Sequence, residues 1–155
     1  MYVERICIAR APGGDLVELE SVELVAGQGI VGDRYFGRRV EPGQNLTLVA
    51  AEQILAINAE YGTTYDLLAT RRNLVTRGVD LNTLIGKEFS VGAARLIGVE
   101  LCEPCATLGK RLAGSGRPPA RVVKQFLHRA GLRADIVAGG AIRRGDPLSI
   151  PVSPS

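Results

Sequence analysis

Two cysteines three residues apart, in Leu101-Cys102-Glu103-Pro104-Cys105, are the densest chemical signal in the chain. The spacing lets both sulfurs reach one metal ion or one disulfide. A closed zinc site needs four ligands, and the only others of suitable type are Cys7 and His128, at separations unlike paired knuckles. Thioredoxin-like exchange needs the first cysteine at a helix N-terminus inside a βαβ pattern, which the sequence does not show. The bland alternative is packing, since a reduced cysteine behaves as a small hydrophobe.

Cys105 stands apart from Cys102 by its setting. It follows Pro104 at the expected end of a strand, Lys110 and Arg111 are close in sequence, and Arg71-Arg72 fall on an expected neighbouring strand. A free thiol with a pKa of ~8.5 is mostly protonated at neutral pH, and nearby cations populate the thiolate that attacks sulfur or binds a soft metal. Taken singly, each of these cations also reads as an ordinary solvated charge. His128 is the single histidine, so a Cys–His pair is the sole nucleophile–base option; its expected helix position beside Arg129 reads as surface.

Gly27-Gln28-Gly29-Ile30-Val31-Gly32 matches G-x-G-x-x-G, yet no helix can follow, because Asp33 to Arg39 leads into Pro42-Gly43. A dinucleotide site needs a helix N-terminus there. The stretch reads instead as a tight loop offering Asp33 and Arg34 to a site, or as a solvated turn.

The elements that must position these groups are short. Val3 to Arg10 reads as a strand, and turn chemistry at 11–15 predicts a hairpin with the apolar pattern from Val17 to Val25. Residues 26–44, with five glycines, have neither helical nor strand period and read as a long functional loop. Leu46 to Val49 predicts a strand, and Ala50 to Tyr61 a helix stopped by Gly62. Arg71 to Thr76 opens a strand, 79–86 fits a helical turn or two, and Phe89–Val91 with Ala94–Leu101 form a strand pair delivering Cys102 to its end. Pro118 to Arg129 predicts a second helix ended by Gly131, and Ile136-Val137 with Leu148 to Val152 a closing strand pair around the glycine-rich turn from Gly139 to Asp146. Ser153 to Ser155 reads as a frayed tail after a single domain, 1–152.

Composition agrees with a globular β-rich domain: 155 residues, 46% hydrophobic, 23% charged, 19 glycines, 8 prolines and no tryptophan. No apolar run approaches the roughly 20 residues that span a bilayer. The N-terminus reads straight into a strand rather than as an export signal, which predicts a cytoplasmic protein with reduced cysteines. A net charge of +3 suits a phosphate-bearing small molecule as well as nucleic acid.

Four segments occur in a telling order: Gly29-Ile30-Val31-Gly32-Asp33-Arg34, Arg72-Asn73-Leu74-Val75-Thr76-Arg77-Gly78, Leu84 to Gly92, and Cys102-Glu103-Pro104-Cys105. Gly139 to Asp146 closes the series. With these motifs the chain resembles the MOSC family, named for the molybdenum cofactor sulfurase C-terminal domain. The resemblance implies a mainly β fold with a few helices, a partly closed β-barrel of the MOSC type, and a stand-alone small bacterial-type member without a pyridoxal-phosphate desulfurase domain. It also implies binding of molybdenum cofactor (molybdopterin) or sulfur carriage, with family-level links to molybdenum ion and pyridoxal phosphate binding, and a cysteine desulfurase or molybdoenzyme as partner. The family's cysteine falls on Cys105, as sulfur acceptor or molybdenum ligand. Asp33, Arg34, Arg71, Arg72, Asn73 and Lys110 become the candidates for holding the cofactor, the arginines its phosphate by charge-assisted bonds. Cys102 receives no catalytic role and reads as a resolving thiol. Two other classes stay open: a nucleic-acid-binding barrel using the basic loop Arg34 to Arg39 with Tyr35 and Phe36 as stacking surface, and a zinc-stabilised structural module.

Overall fold

The computed structural model describes residues 1–38 and 41–152; the expected frayed tail at 153–155 and Arg39 of the basic loop lie outside them. In chain order the elements are β1 (Tyr2–Ala9), β2 (Leu16–Glu18), β3 (Ser21–Val25), β4 (Gly29–Ile30), β5 (Leu46–Ala50), α1 (Ala51–Tyr61), β6 (Leu74–Arg77), a 3₁₀ turn (Leu81–Leu84), β7 (Glu88–Val91), β8 (Ala94–Leu101), α2 (Ala106–Leu112), α3 (Pro119–Phe126), β9 (Leu132–Ala138), β10 (Gly140–Arg143) and β11 (Leu148–Ser149).

Eight strands form one sheet in the order β11-β7-β8-β9-β5-β6-β1-β2, and β10-β3-β4 form a second. β5 and β6 pair in parallel because α1 carries the chain across between them. No ladder joins β11 to β1. The gap is crossed by a single bridge, Tyr2 to Pro147, and by backbone bonds from the Leu148 amide to the Met1 carbonyl (3.0 Å) and from the Gly145 amide to the Val3 carbonyl (2.7 Å). β2 takes the other half of the same β1 edge, at Cys7 to Ala9. The sheets are not closed into a barrel: β11 meets β1 only through these few bonds, and β10-β3-β4 stay a separate sheet.

Strand alternation sets the layers. Ile6 and Ile8 of β1 point inward with Leu24, Ile30, Leu48, Leu74, Phe89, Leu96 and Leu132, while Cys7 points outward under α1 with Val49, Ala51, Ile54 and Val75. A third cluster pins the two later helices: Leu108 of α2 packs with Val122 and Phe126 of α3 and Ile57 of α1. A Cβ at Gly109 would stand 2.7 Å from the Pro119 carbonyl oxygen, so glycine there allows α2 and α3 to touch.

Three expectations change. The apolar pattern from Val17 to Val25 is two strands in different sheets: the Glu20 carbonyl accepts from the Arg144 amide, so the chain leaves β1 there and crosses to the segment beside β10. Ile136-Val137 and Leu148 to Val152 do not pair with each other, since β11 pairs with β7 and the expected turn between them holds a strand, β10. β9 lies between β8 and β5, β10 pairs with β3, and the chain switches sheets at Gly139, where a Cβ would collide with the Leu24 carbonyl. The second helix ends at Phe126, which puts His128 beyond it at φ 61°. Residues 26–44 hold the short strand β4 but no helix, so the glycine pattern is turn chemistry.

Candidate functional site

β8 ends at Leu101, and the Cys102 amide donates to the Gly131 carbonyl (2.8 Å), which fixes where the cysteine segment leaves the sheet. Arg72, just ahead of β6, donates through Nε to the neighbouring Ala130 carbonyl (2.8 Å). One turn, Ala130-Gly131, thus anchors both the thiol segment and an arginine. Pro104 then directs Cys105 into the N-cap position of α2, an element the sequence reading lacked.

The three thiols are unpaired and differ sharply. Cys7 is fully buried, its Sγ donating to the Arg72 carbonyl (3.0 Å), and burial pushes its pKa up to about 11. Cys102 is 4% exposed, and burial likewise raises it, against the charges of Arg72 and Arg133. Cys105 is exposed and shifts the other way. The Leu108 amide has the largest effect, with the Thr107 amide and hydroxyl and the Arg72 charge adding to it over a partial burial cost. Cys105 faces these amides from the N-cap position. Its environment favours thiolate.

Arg72 acts on it directly, and further guanidiniums from separate segments lie within electrostatic reach of Arg111 on the same helix. Arg71 adopts φ 62° and donates through Nη2 to the Gly14 carbonyl (2.6 Å), which ties it to the turn after β1. The Arg34 amide donates to the Ala9 carbonyl (2.8 Å), bringing the glycine loop to the end of β1, and a Cβ at Gly32 would lie 3.3 Å from Arg10 Nη1. Arg111 of α2 joins them. Burial first, and then the charges of Arg71 and Arg72, lower its pKa, with Arg34 adding and Cys105 opposing. Among the described residues, none of Arg10, Arg71, Arg72 and Arg111 forms an ion pair, whereas Arg5, Arg77, Arg95, Arg129, Arg133 and Arg144 each have a glutamate. A cluster of cations without carboxylates is a receptor for an anion.

The remaining expected residues divide into ligand-facing and structural. Asp33 is buried and accepts from the Ala9 amide (3.1 Å), the Tyr35 amide (3.2 Å) and Arg34 Nη1 (3.3 Å), so it shapes the loop that carries Arg34. Arg34 also lies over the Tyr35 ring, 4.4 Å from its centroid. Asn73 is buried; its Oδ1 accepts from the Thr47 amide (3.1 Å) and hydroxyl (3.2 Å), and its Nδ2 donates to the Cys7 carbonyl (3.1 Å). It pins the segment bearing Arg71 and Arg72. Lys110 sits exposed on α2. His128 reaches Glu103 (Nδ1 to Oε1, 3.2 Å) in an exposed pair.

Arg10 and Arg111 were not among the expected site residues. Arg111 was visible only as a charge six residues after Cys105, because a seven-residue helix containing Gly109 gives almost no periodic signal. Among the described residues, no three of His, Cys, Asp and Glu gather as a metal-binding set. A separate cleft of about 290 Å³, lined by residues including Glu52, Gln53, Asp80, Asn82 and Arg129, shares no residue with the thiol and its cations.

The MOSC domain model matches residues 36–149, just after Asp33 and Arg34. YuaD from Bacillus subtilis shares the fold at TM-score 0.81 and 20% identity, covering 94% of this chain and 92% of that one. YiiM from Escherichia coli does so at 0.71 and 18%, covering 100% and 72%, and YiiM from Geobacillus stearothermophilus at 0.70 and 15%, covering 97% and 75%. No curated protein matches the chain. A mainly β fold shared with these structures and a family match over most of its length make this chain a member of the MOSC domain family.

Proposed function

We propose that this domain binds the molybdenum cofactor or carries sulfur for it, with Cys105 as the working sulfur. The observation that carries the reading is an exposed thiol at the N-cap of α2, its thiolate favoured by helix amides and by Arg72, a guanidinium with no ion pair among the described residues. The donor set fits the cofactor: a thiolate is a soft ligand for molybdenum, and guanidiniums suit a phosphate. Arg71, Arg72 and Arg34 would hold the phosphate, with Lys110 at the exposed margin. Asp33 and Asn73 act behind them, through the backbone they fix. When bound, the cofactor supplies a molybdenum centre that accepts a thiolate ligand.

In the sulfur-carrying form, the Cys105 thiolate attacks the outer sulfur of a donor persulfide. The donor's S–S bond breaks, a new S–S bond forms on Cys105, and the donor leaves as thiolate. A cysteine desulfurase, using its own pyridoxal phosphate, is the fitting donor, and a molybdoenzyme the fitting recipient. Both belong in a reducing compartment such as the cytoplasm; no helix of the described residues is long and apolar enough to cross a membrane.

The test is intact-protein mass spectrometry of wild type and Cys105→Ser after exposure to a desulfurase with cysteine, and separately to isolated cofactor. An added sulfur or bound cofactor in wild type that is lost in the variant is the expected result. Neither adduct in wild type, or equal adducts in both proteins, overturns the assignment.

A further inference from the structure

We propose that the second substrate brought to the Cys105 thiol is an organic anion, and that Arg111 is the residue that recognises it. The inference rests on the reading of Cys105 as the working sulfur and adds the class of molecule that meets it. The number of cations is the starting point. Arg71, Arg72 and Arg111 have no ion-pair partner among the described residues, whereas Arg5, Arg77, Arg95, Arg129, Arg133 and Arg144 each have a glutamate. These arginines differ in setting. Arg72 is held inward by Ala130 and Arg71 by Gly14, whereas Arg111 is exposed.

Arg111 is also the arginine with a fixed relation to the sulfur. Cys105 caps α2 and its carbonyl accepts from the Gly109 amide (3.0 Å), so Cys105 and Arg111 ride on one short helix, their Cα atoms about 9 Å apart along its axis. Leu108 buried under α3 and the close contact at Gly109 hold that helix in place. The mutual unfavourable action of Arg111, Arg71 and Arg72, and the favourable action of Cys105 on Arg111, agree with this placement. Like charges held together without a carboxylate are relieved by an arriving anion.

Alkylation of Cys105 provides a direct measure. In each reaction the thiolate displaces iodide; iodoacetate brings a carboxylate and iodoacetamide a neutral amide of nearly the same size. Because both draw on the same thiolate, their rate ratio cancels any change in thiol pKa. Normalised to glutathione, the ratio in wild type is expected to favour iodoacetate severalfold, to fall as ionic strength rises, and to drop by about threefold in Arg111→Gln. Arg111→Lys should recover most of it. Lys87→Gln changes net charge equally from β7's approach and should leave it unchanged, and Cys105→Ser gives the background from the buried thiols.

At constant ionic strength, protection from iodoacetate by acetate points to a carboxylate substrate, and protection by inorganic phosphate to a phosphorylated one. A ratio equal to that of glutathione, equal losses in Arg111→Gln and Lys87→Gln, or protection by neither anion overturns the proposal. None of these readings depends on persulfide or cofactor loading, so a failure of the proposed function is seen separately in the mass measurement.

Discussion

A thiol's chemistry here is decided by a few ångströms of surroundings. Cys7 and Cys102 are buried and held as neutral thiols, while Cys105 meets helix amides and Arg72. Its thiolate is stabilised in the fold, so the pH midpoint for alkylation of the native protein should lie below that of the same cysteine in urea-unfolded chain. A coincident midpoint would remove the basis for a reactive thiol. For stability the sign follows: a depressed folded pKa favours the fold at pH above the unfolded thiol's value, and that contribution fades as pH falls through the folded value. Asn73 works at the same scale, its amide bridging Thr47 and Cys7. Asn73→Ala leaves the Thr47 amide and the Cys7 carbonyl without their side-chain partner in a buried place, and should cost about 3 kcal/mol by denaturant titration. An unchanged midpoint would mean that water takes over both bonds. Its sequence neighbourhood made Asn73 look like a ligand, because a buried bridging amide and a ligand-binding one have the same letter.

Glycines mark where elements come too close for any other residue. Gly131 stands at φ 115° with its Cβ position against the Leu48 carbonyl, and its own carbonyl receives the Cys102 amide. Gly131→Ala should therefore cost more than about 3 kcal/mol and slow Cys105 alkylation together with it. Gly62, the C-cap of α1 at φ 65° with open space around it, is the control: Gly62→Ala should cost about 1 kcal/mol and leave alkylation alone. Equal costs at both positions would show that conformation, not contact, is what Gly131 supplies. Of the helices, α1 was legible because eleven residues free of glycine and proline, with Ile54 and Ile57 three apart on the buried side, run into a glycine stop. α2 was not. Its two buried residues, Leu108 and Gly109, acquire meaning only against α3 and α1, a contact far apart in sequence. The same blindness hid the split between β2 and β3, since alternation reports burial but not which sheet provides it.

For the molecule as a whole, ordered motifs revealed more than periodicity did. The family resemblance selected Cys105 and the region of Arg71 and Arg72 without any knowledge of contacts, and the structure brings Arg34, Arg71 and Arg72 within electrostatic reach of Arg111, with Arg72 acting on Cys105 itself. What stayed hidden was charge bookkeeping, because which arginines have a glutamate nearby depends on strands paired across the sheets. The seam between β1 and the segment before β11 has a temporal consequence. Tyr2 and Pro147 are separated by nearly the whole chain, so the entropy of closing that loop is met last, after hairpins such as β7–β8 have formed locally. During synthesis the first strand must wait, half its edge unpaired, until the segment around Pro147 has left the ribosome.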